Sequence, residues 1–126
     1  MLAVEDNETN QIAILALLEQ AGVMADCASD GPSAIEAVRK NKYDLILMDI
    51  HMPRMDGIET SRQIRTLTSR EAVRPPPIIA LTADVMAGDR ERFIAAGMND
   101  YIPKPINYSN LIEVLSSWIP PSPHLS

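Results

Sequence analysis

Apolar positions along this chain fall into two alternating patterns. Short apolar runs at 2–4, 45–48, 78–81 and 100–102, with a weaker one at 24–28, read as strands. Between them, segments at about 9–21, 32–41, 57–66, 85–96 and 107–118 carry apolar residues at helical spacing. The runs at 45–48 and 78–81 are apolar at consecutive positions, the pattern of a strand covered on both faces. Strand–helix alternation repeated five times predicts an α/β fold, a parallel sheet with helices on both sides. Gly22 and Gly97 follow helical segments, where a left-handed residue ends a helix at little cost. Residues 75–77 are all proline and close a polar loop before the fourth strand. Residues 120–126 hold three prolines in seven positions and read as a tail or linker, which leaves 1–119 as one domain without an internal repeat.

Composition narrows the class. At 126 residues, 46% apolar and 22% charged, the chain can bury a core, and with 4% aromatics that core is aliphatic. A net charge of -6 turns away nucleic acid and anionic membrane as direct partners. No apolar run approaches the roughly 20 residues needed to span a bilayer. The opening Met-Leu-Ala-Val is too short for a signal peptide and runs straight into a strand, so Met1 is expected to lie inside a longer protein. The single cysteine, Cys27, excludes an internal disulfide, fits a reducing, cytoplasmic compartment, and is expected in the core.

In open α/β sheets chemistry gathers at the carboxyl ends of the strands. There the first strand delivers Glu5 and Asp6, the third Asp49, the fourth Thr82 and the fifth Lys104. Asp and Asn also cap helices, and a helix follows Glu5-Asp6-Asn7 directly. Capping does not fit Asp49, because Pro53 and Gly57 describe a rigid loop before the next helix begins. Gathered carboxylates are costly unless a positive charge neutralises them, and a hard cation with oxygen ligands, Mg2+ above all, meets that need. Lys104 stands between Pro103 and Pro105, which restricts it and aims one long cation; the sequence leaves the Lys104–Pro105 isomer open.

Four fragments in order, Val-Glu-Asp-Asn at 4–7, Leu-Met-Asp-Ile-His-Met-Pro-Arg-Met-Asp-Gly at 47–57, Ala-Leu-Thr-Ala at 80–83 and Lys-Pro at 104–105, resemble the receiver domain of two-component response regulators. The resemblance runs from Leu2 to about Trp118. It implies a flavodoxin-like, doubly wound (βα)5 fold with strand order 2-1-3-4-5. It also implies roles: Asp49 as the phosphorylated aspartate, Glu5 and Asp6 as the acidic metal pair, and the backbone carbonyl of His51 as a further ligand. Thr82 and Tyr101 resemble the switch pair and Lys104 the phosphate-contacting lysine. Mg2+ is the implied metal, with Mn2+ able to substitute. Such a domain catalyses its own phosphorylation and dephosphorylation without being a turnover enzyme alone.

Asn10 after the Val-Glu-Asp-Asn start, and His51 two residues past Asp49, look most like receivers of hybrid sensor histidine kinases. Those exchange phosphate with a histidine kinase or a histidine phosphotransfer domain. On the helix at about 9–21, Ala13, Ile14, Leu17, Leu18 and Ala21 form one stripe toward the core. Ile12, Leu15 and Ala16 fall on the opposite arc and are the candidate docking surface for that partner. Dimerisation, and membrane anchoring of the parent protein, stay open. Two other functions compete: a stand-alone regulator acting by phosphorylation-dependent protein binding, and an Asp-nucleophile phosphatase with His51 in the second acid's place. A flavin-binding relative fits poorly, since no Ser/Thr-rich phosphate loop follows the first strand. Trp118 is expected to anchor a helix end, Met52 and Met55 to pack the loop, and His124 to lie in the tail.

Overall fold

The computed structural model describes residues 1–50, 52, 55–70, 76–83 and 89–118. Strands β1 (Leu2–Val4), β2 (Asp26–Ala28), β3 (Ile46–Asp49), β4 (Ile78–Thr82) and β5 (Asp100–Pro103) alternate with helices α1 (Glu8–Gln20), α2 (Gly31–Lys40), α3 (Gly57–Arg70), α4 (Asp89–Ala95) and α5 (Tyr108–Trp118). All strand pairs are parallel, in the order β2-β1-β3-β4-β5. This is the expected flavodoxin-like α/β architecture. The reversal of strand order lies between β1 and β3, the place where open sheets of this kind build their sites.

Side chains alternate across the sheet into two aliphatic cores. On one face Leu2, Val4, Ile46, Met48, Ile78 and Ala80 pack with residues of α2, α3 and α4, among them Ala34, Ile64 and Phe93. On the other face Ala3, Leu47, Ile79, Leu81 and Ile102 pack with Ile14 and Leu18 of α1 and Leu111 and Leu115 of α5. Strands β3 and β4 are buried throughout, which accounts for their unbroken apolar runs. Gly22 and Gly97 take the predicted left-handed conformation, with φ of 78° and 93°.

Local differences from the sequence reading have local causes. The second strand begins only at Asp26, and Met24 is 91% exposed. Cys27 is exposed rather than in the core, because it sits on β2, the edge strand of the sheet. Ala13 is exposed instead of joining the α1 stripe, whose inward residues are Ile14 and Leu18 with Leu17 and Ala21 half-buried. The fourth helix is described over Asp89–Ala95, and residues 85–88 of its expected span lie outside the described residues. Trp118 anchors α5 as predicted, its Nε1 donating to Asp100 Oδ2 at 3.0 Å. Met52 is buried in the loop after β3. His51, Pro53, Pro75, His124 and the tail at 120–126 lie outside the described residues.

Candidate functional site

Glu5, Asp6, Asp49, Thr82 and Lys104 stand at or just past a strand's carboxyl end. Asp49 is the last residue of β3 and is 1% exposed. Its backbone is held as β3 leaves the sheet, with the Ile50 N–H donating to Leu81 O and the Gly57 N–H donating back to Ile50 O. Asp49 does not cap α3. That cap is Asp56, whose Oδ1 accepts from the Glu59 N–H at 2.9 Å. Likewise the cap of α1 is Asn7, whose Oδ1 accepts from the Asn10 N–H at 3.0 Å. Capping therefore explains Asn7 and not Glu5 or Asp6.

Glu5 follows β1 and, at 1% exposed, is buried, while Asp6 is exposed. Oxygens of Glu5, Asp6 and Asp49 all lie within 4.8 Å of one another. Lys104 Nζ donates to Asp49 Oδ1 at 2.9 Å and to Glu5 Oε2 at 3.2 Å. The ammonium is delivered by β4 and β5 together: the Lys104 N–H donates to Thr82 O at 2.8 Å, and the Lys104–Pro105 bond is cis. Thr82 is buried at the end of β4. Tyr101 pairs with Ala80, so alternation places Thr82 and Tyr101 on the same face of the sheet, where the half-buried Tyr101 packs on the α2–α3–α4 core.

Burial pushes the Asp49 carboxyl up to about 6, against the downward pull of the Lys104 hydrogen bond, and the charge of Glu5 adds to the rise. Burial opposes the charge of Lys104, but the hydrogen bond and charge of Asp49, with the charge of Glu5, outweigh it and raise the lysine above its ordinary value. Three carboxylates thus meet one ammonium. An all-oxygen donor set with surplus negative charge fits a hard divalent cation. The expected His51 carbonyl ligand lies outside the described residues.

The sequence reading put these acids, the hydroxyl and the lysine on one edge, and that is where the structure places them. It used Asn10 only as a subfamily marker, yet the Asn10 Nδ2 donates to Glu5 Oε1 at 3.0 Å. It read Gly57 as a loop residue, whereas a Cβ there would overlap the Asp49 carbonyl oxygen and lie 3.0 Å from Ile50 Cα. The helix start of α3 is therefore pressed against the tip of β3. Gly57→Ala is expected to lower stability by about 1–3 kcal/mol, the usual cost of overpacking. Chemical denaturation measures this, and an unchanged midpoint would contradict the close approach.

Residues 1–116 match the family described as the response regulator receiver domain. The signal transduction histidine-protein kinase BarA of Shigella flexneri is 41% identical over 122 residues, covering 97% of this chain and 13% of the relative. The receiver domain of a sensor histidine kinase from Pseudomonas aeruginosa, solved with a magnesium ion coordinated in its active-site cleft, is 41% identical with a TM-score of 0.80, covering 94% of each chain. The receiver domain of the Saccharomyces cerevisiae response regulator Ssk1, solved with the histidine phosphotransfer protein Ypd1, is 31% identical with a TM-score of 0.87, covering 93% of this chain and 86% of its own. This chain spans between 6% and 15% of the length of the first curated relatives it matches. The family match spans nearly the whole chain and the solved receivers share its fold, and the chain belongs to the response regulator receiver domain family.

Proposed function

We propose that this chain is the phosphoacceptor of a two-component phosphorelay, and that Asp49 takes a phosphoryl group from a phosphohistidine. The observation that carries this is the buried Asp49 carboxylate at the tip of β3, beside Glu5 and Asp6 and 2.9 Å from Lys104 Nζ. An Asp49 oxygen attacks phosphorus in line, the phosphorus–nitrogen bond of the donor breaks, and the imidazole leaves with the bonding electron pair. Such transfer asks the protein chiefly for positioning and charge stabilisation. Lys104 reaches the equatorial oxygens as charge gathers on them. Glu5, Asp6, Asp49 and the His51 carbonyl would hold Mg2+, or Mn2+ in its place; when bound, the ion supplies neutralisation of the phosphoryl oxygens.

The product carries new charge and acceptor oxygens at the strand tip. Thr82 donates to one of them, and Tyr101, on the same face, moves into the space that Thr82 vacates. A local charge change thereby biases a two-state element.

The parent is read as a hybrid sensor histidine kinase, because relatives named hybrid signal transduction histidine kinase, from Dictyostelium discoideum, contain a matching segment. Its partner is then a histidine kinase or histidine phosphotransfer domain, as in the Ssk1 pair. The docking residues are those on the outer arc of α1: Ile12 is 63% exposed, Ala16 is exposed and Leu15 is half-buried. Among the described residues no helix is long and apolar enough to cross a membrane.

The test is phosphorylation by acetyl phosphate with Mg2+, followed by intact mass. Parent chain gaining one phosphoryl group, with none gained by Asp49→Asn, is the expected result. Ile12→Asp should leave labelling by acetyl phosphate unchanged and slow transfer from a histidine phosphotransfer partner by about 10-fold, the loss of roughly 1.4 kcal/mol of docking energy. Equal partner rates for parent and variant would remove α1 from the docking surface.

A further inference from the structure

Glu5 poses a problem that its neighbours solve in an unusual division of labour. Its carboxylate is buried, so both oxygens need donors. Oε2 accepts from Lys104 Nζ at 3.2 Å, and Oε1 accepts from Asn10 Nδ2 at 3.0 Å and from the Asn7 N–H at 3.4 Å. The two side-chain donors differ in kind. Lys104 is shared with Asp49, so any group that draws the ammonium toward Asp49 weakens its hold on Glu5. Asn10 is uncharged, so it fixes the direction of the carboxylate without neutralising it. Its backbone N–H caps α1 through Asn7 Oδ1, which leaves the side-chain amide to Glu5. Gln11, the next residue, donates its Nε2 to the Glu5 backbone oxygen and to Ser29 Oγ, so the first turn of α1 grips Glu5 at both main chain and side chain.

From this arrangement we infer that Asn10 is a positioning residue: it aims the Glu5 carboxylate at the cation site and keeps it there when Lys104 turns to the phosphoryl group. The inference rests on the phosphoacceptor reading of the acidic edge. Partners that orient a metal-holding side chain typically change metal affinity by about 10–100-fold when removed. Asn10 is exposed and its helix cap is made by the main chain, so replacing the side chain tests aiming rather than folding.

The experiment is calorimetric titration of the full 126-residue chain with MgCl2, for the parent, Asn10→Ala and the same-helix control Gln20→Ala. Each is repeated in a Glu5→Gln background, and the metal-free thermal midpoint is recorded for all. Asn10→Ala should weaken Mg2+ binding by about 10-fold with little change in midpoint, while Gln20→Ala binds as the parent does. In Glu5→Gln the further loss from Asn10→Ala should shrink to below about twofold, because no charge remains to be aimed. Parent-like affinity in Asn10→Ala overturns the inference and leaves the phosphoacceptor reading intact, and so does an undiminished loss in the Glu5→Gln background. Absence of Mg2+ binding by the parent overturns both.

Discussion

Replacing Asp49 with asparagine is expected to abolish phosphoryl uptake and, near neutral pH, to stabilise the metal-free chain. The first effect follows from removing the attacking oxygen, and no neighbouring acid can take its place. Glu5 is hydrogen-bonded on both oxygens and Asp6 lies out at the exposed rim. The second effect follows from the raised pKa of Asp49. The folded carboxyl ionises at about 6 against an ordinary value of 3.8. Between those values the folded state binds more protons than the unfolded one, so stability falls as pH rises through the window, and the whole loss is present above it. Two pH units correspond to at most about 3 kcal/mol, and the remaining Lys104–Glu5 contact tempers the gain. Denaturation of parent and variant at about pH 4 and about pH 7.5 separates the cases, since the advantage of asparagine should appear only at the higher pH. Labelling of Asp49→Asn as complete as that of the parent would move the acceptor elsewhere. An equal stability difference at both pH values would refute the burial argument.

Lys104→Met should have the opposite effect on stability. The ammonium touches both buried carboxylates, and methionine fills its space without its charge. Removing one partner from a buried ion pair typically costs about 3–5 kcal/mol; because Lys104 is partly exposed, about 2–3 kcal/mol is expected near neutral pH. Uptake from acetyl phosphate should slow by about 100-fold rather than vanish, since the attacking oxygen remains and one charge stabiliser is lost. The pH dependence supplies a second signature. The folded lysine titrates above its ordinary 10.5, so its contribution is fully present below that value and fades only as pH rises through the folded one. Parent and variant should therefore differ by a constant amount across the neutral range and converge in strong alkali. A Lys104→Met chain as stable as the parent, or as fast, would show that the lysine is a solvated bystander.

The two variants separate properties that one cluster combines. Burial, with the charge of Glu5 added to it, makes Asp49 expensive to ionise, and the gathered acids recruit the positive charge that phosphoryl transfer requires. Strain of this kind is tolerated because the surrounding frame is rigid. Asp49 ends a buried strand, Lys104 is tied by its main chain to Thr82, and Gly57 lets α3 close against the strand tip.

Much of this was legible in the order of residues. Alternating apolar runs and helical periods specify five βα units, and consecutive apolar positions at 45–48 and 78–81 mark the central strands, because local periodicity reports which faces of an element are covered. The parallel arrangement then carries Glu5, Asp6, Asp49, Thr82 and Lys104 to one edge, since every strand of a parallel sheet ends on the same side. Tertiary structure alone decided how these groups divide the work. Glu5 is buried and Asp6 exposed although they are adjacent, because Asn10 and Lys104 close over Glu5 while Asp6 stays at the rim of the same acidic cluster. Cys27 is left outside because β2 falls at the sheet's edge, a matter of strand order rather than of its apolar neighbours. Lys104 meets Glu5 and Asp49 across separations of 99 and 55 residues, and Gly57 meets the backbone of Asp49 through space. Periodicity is a property of nearest neighbours along the chain. Which distant groups share a hydrogen bond, and so which acid is held and which is free to hold a cation, depends on the packing that brings the strand ends together.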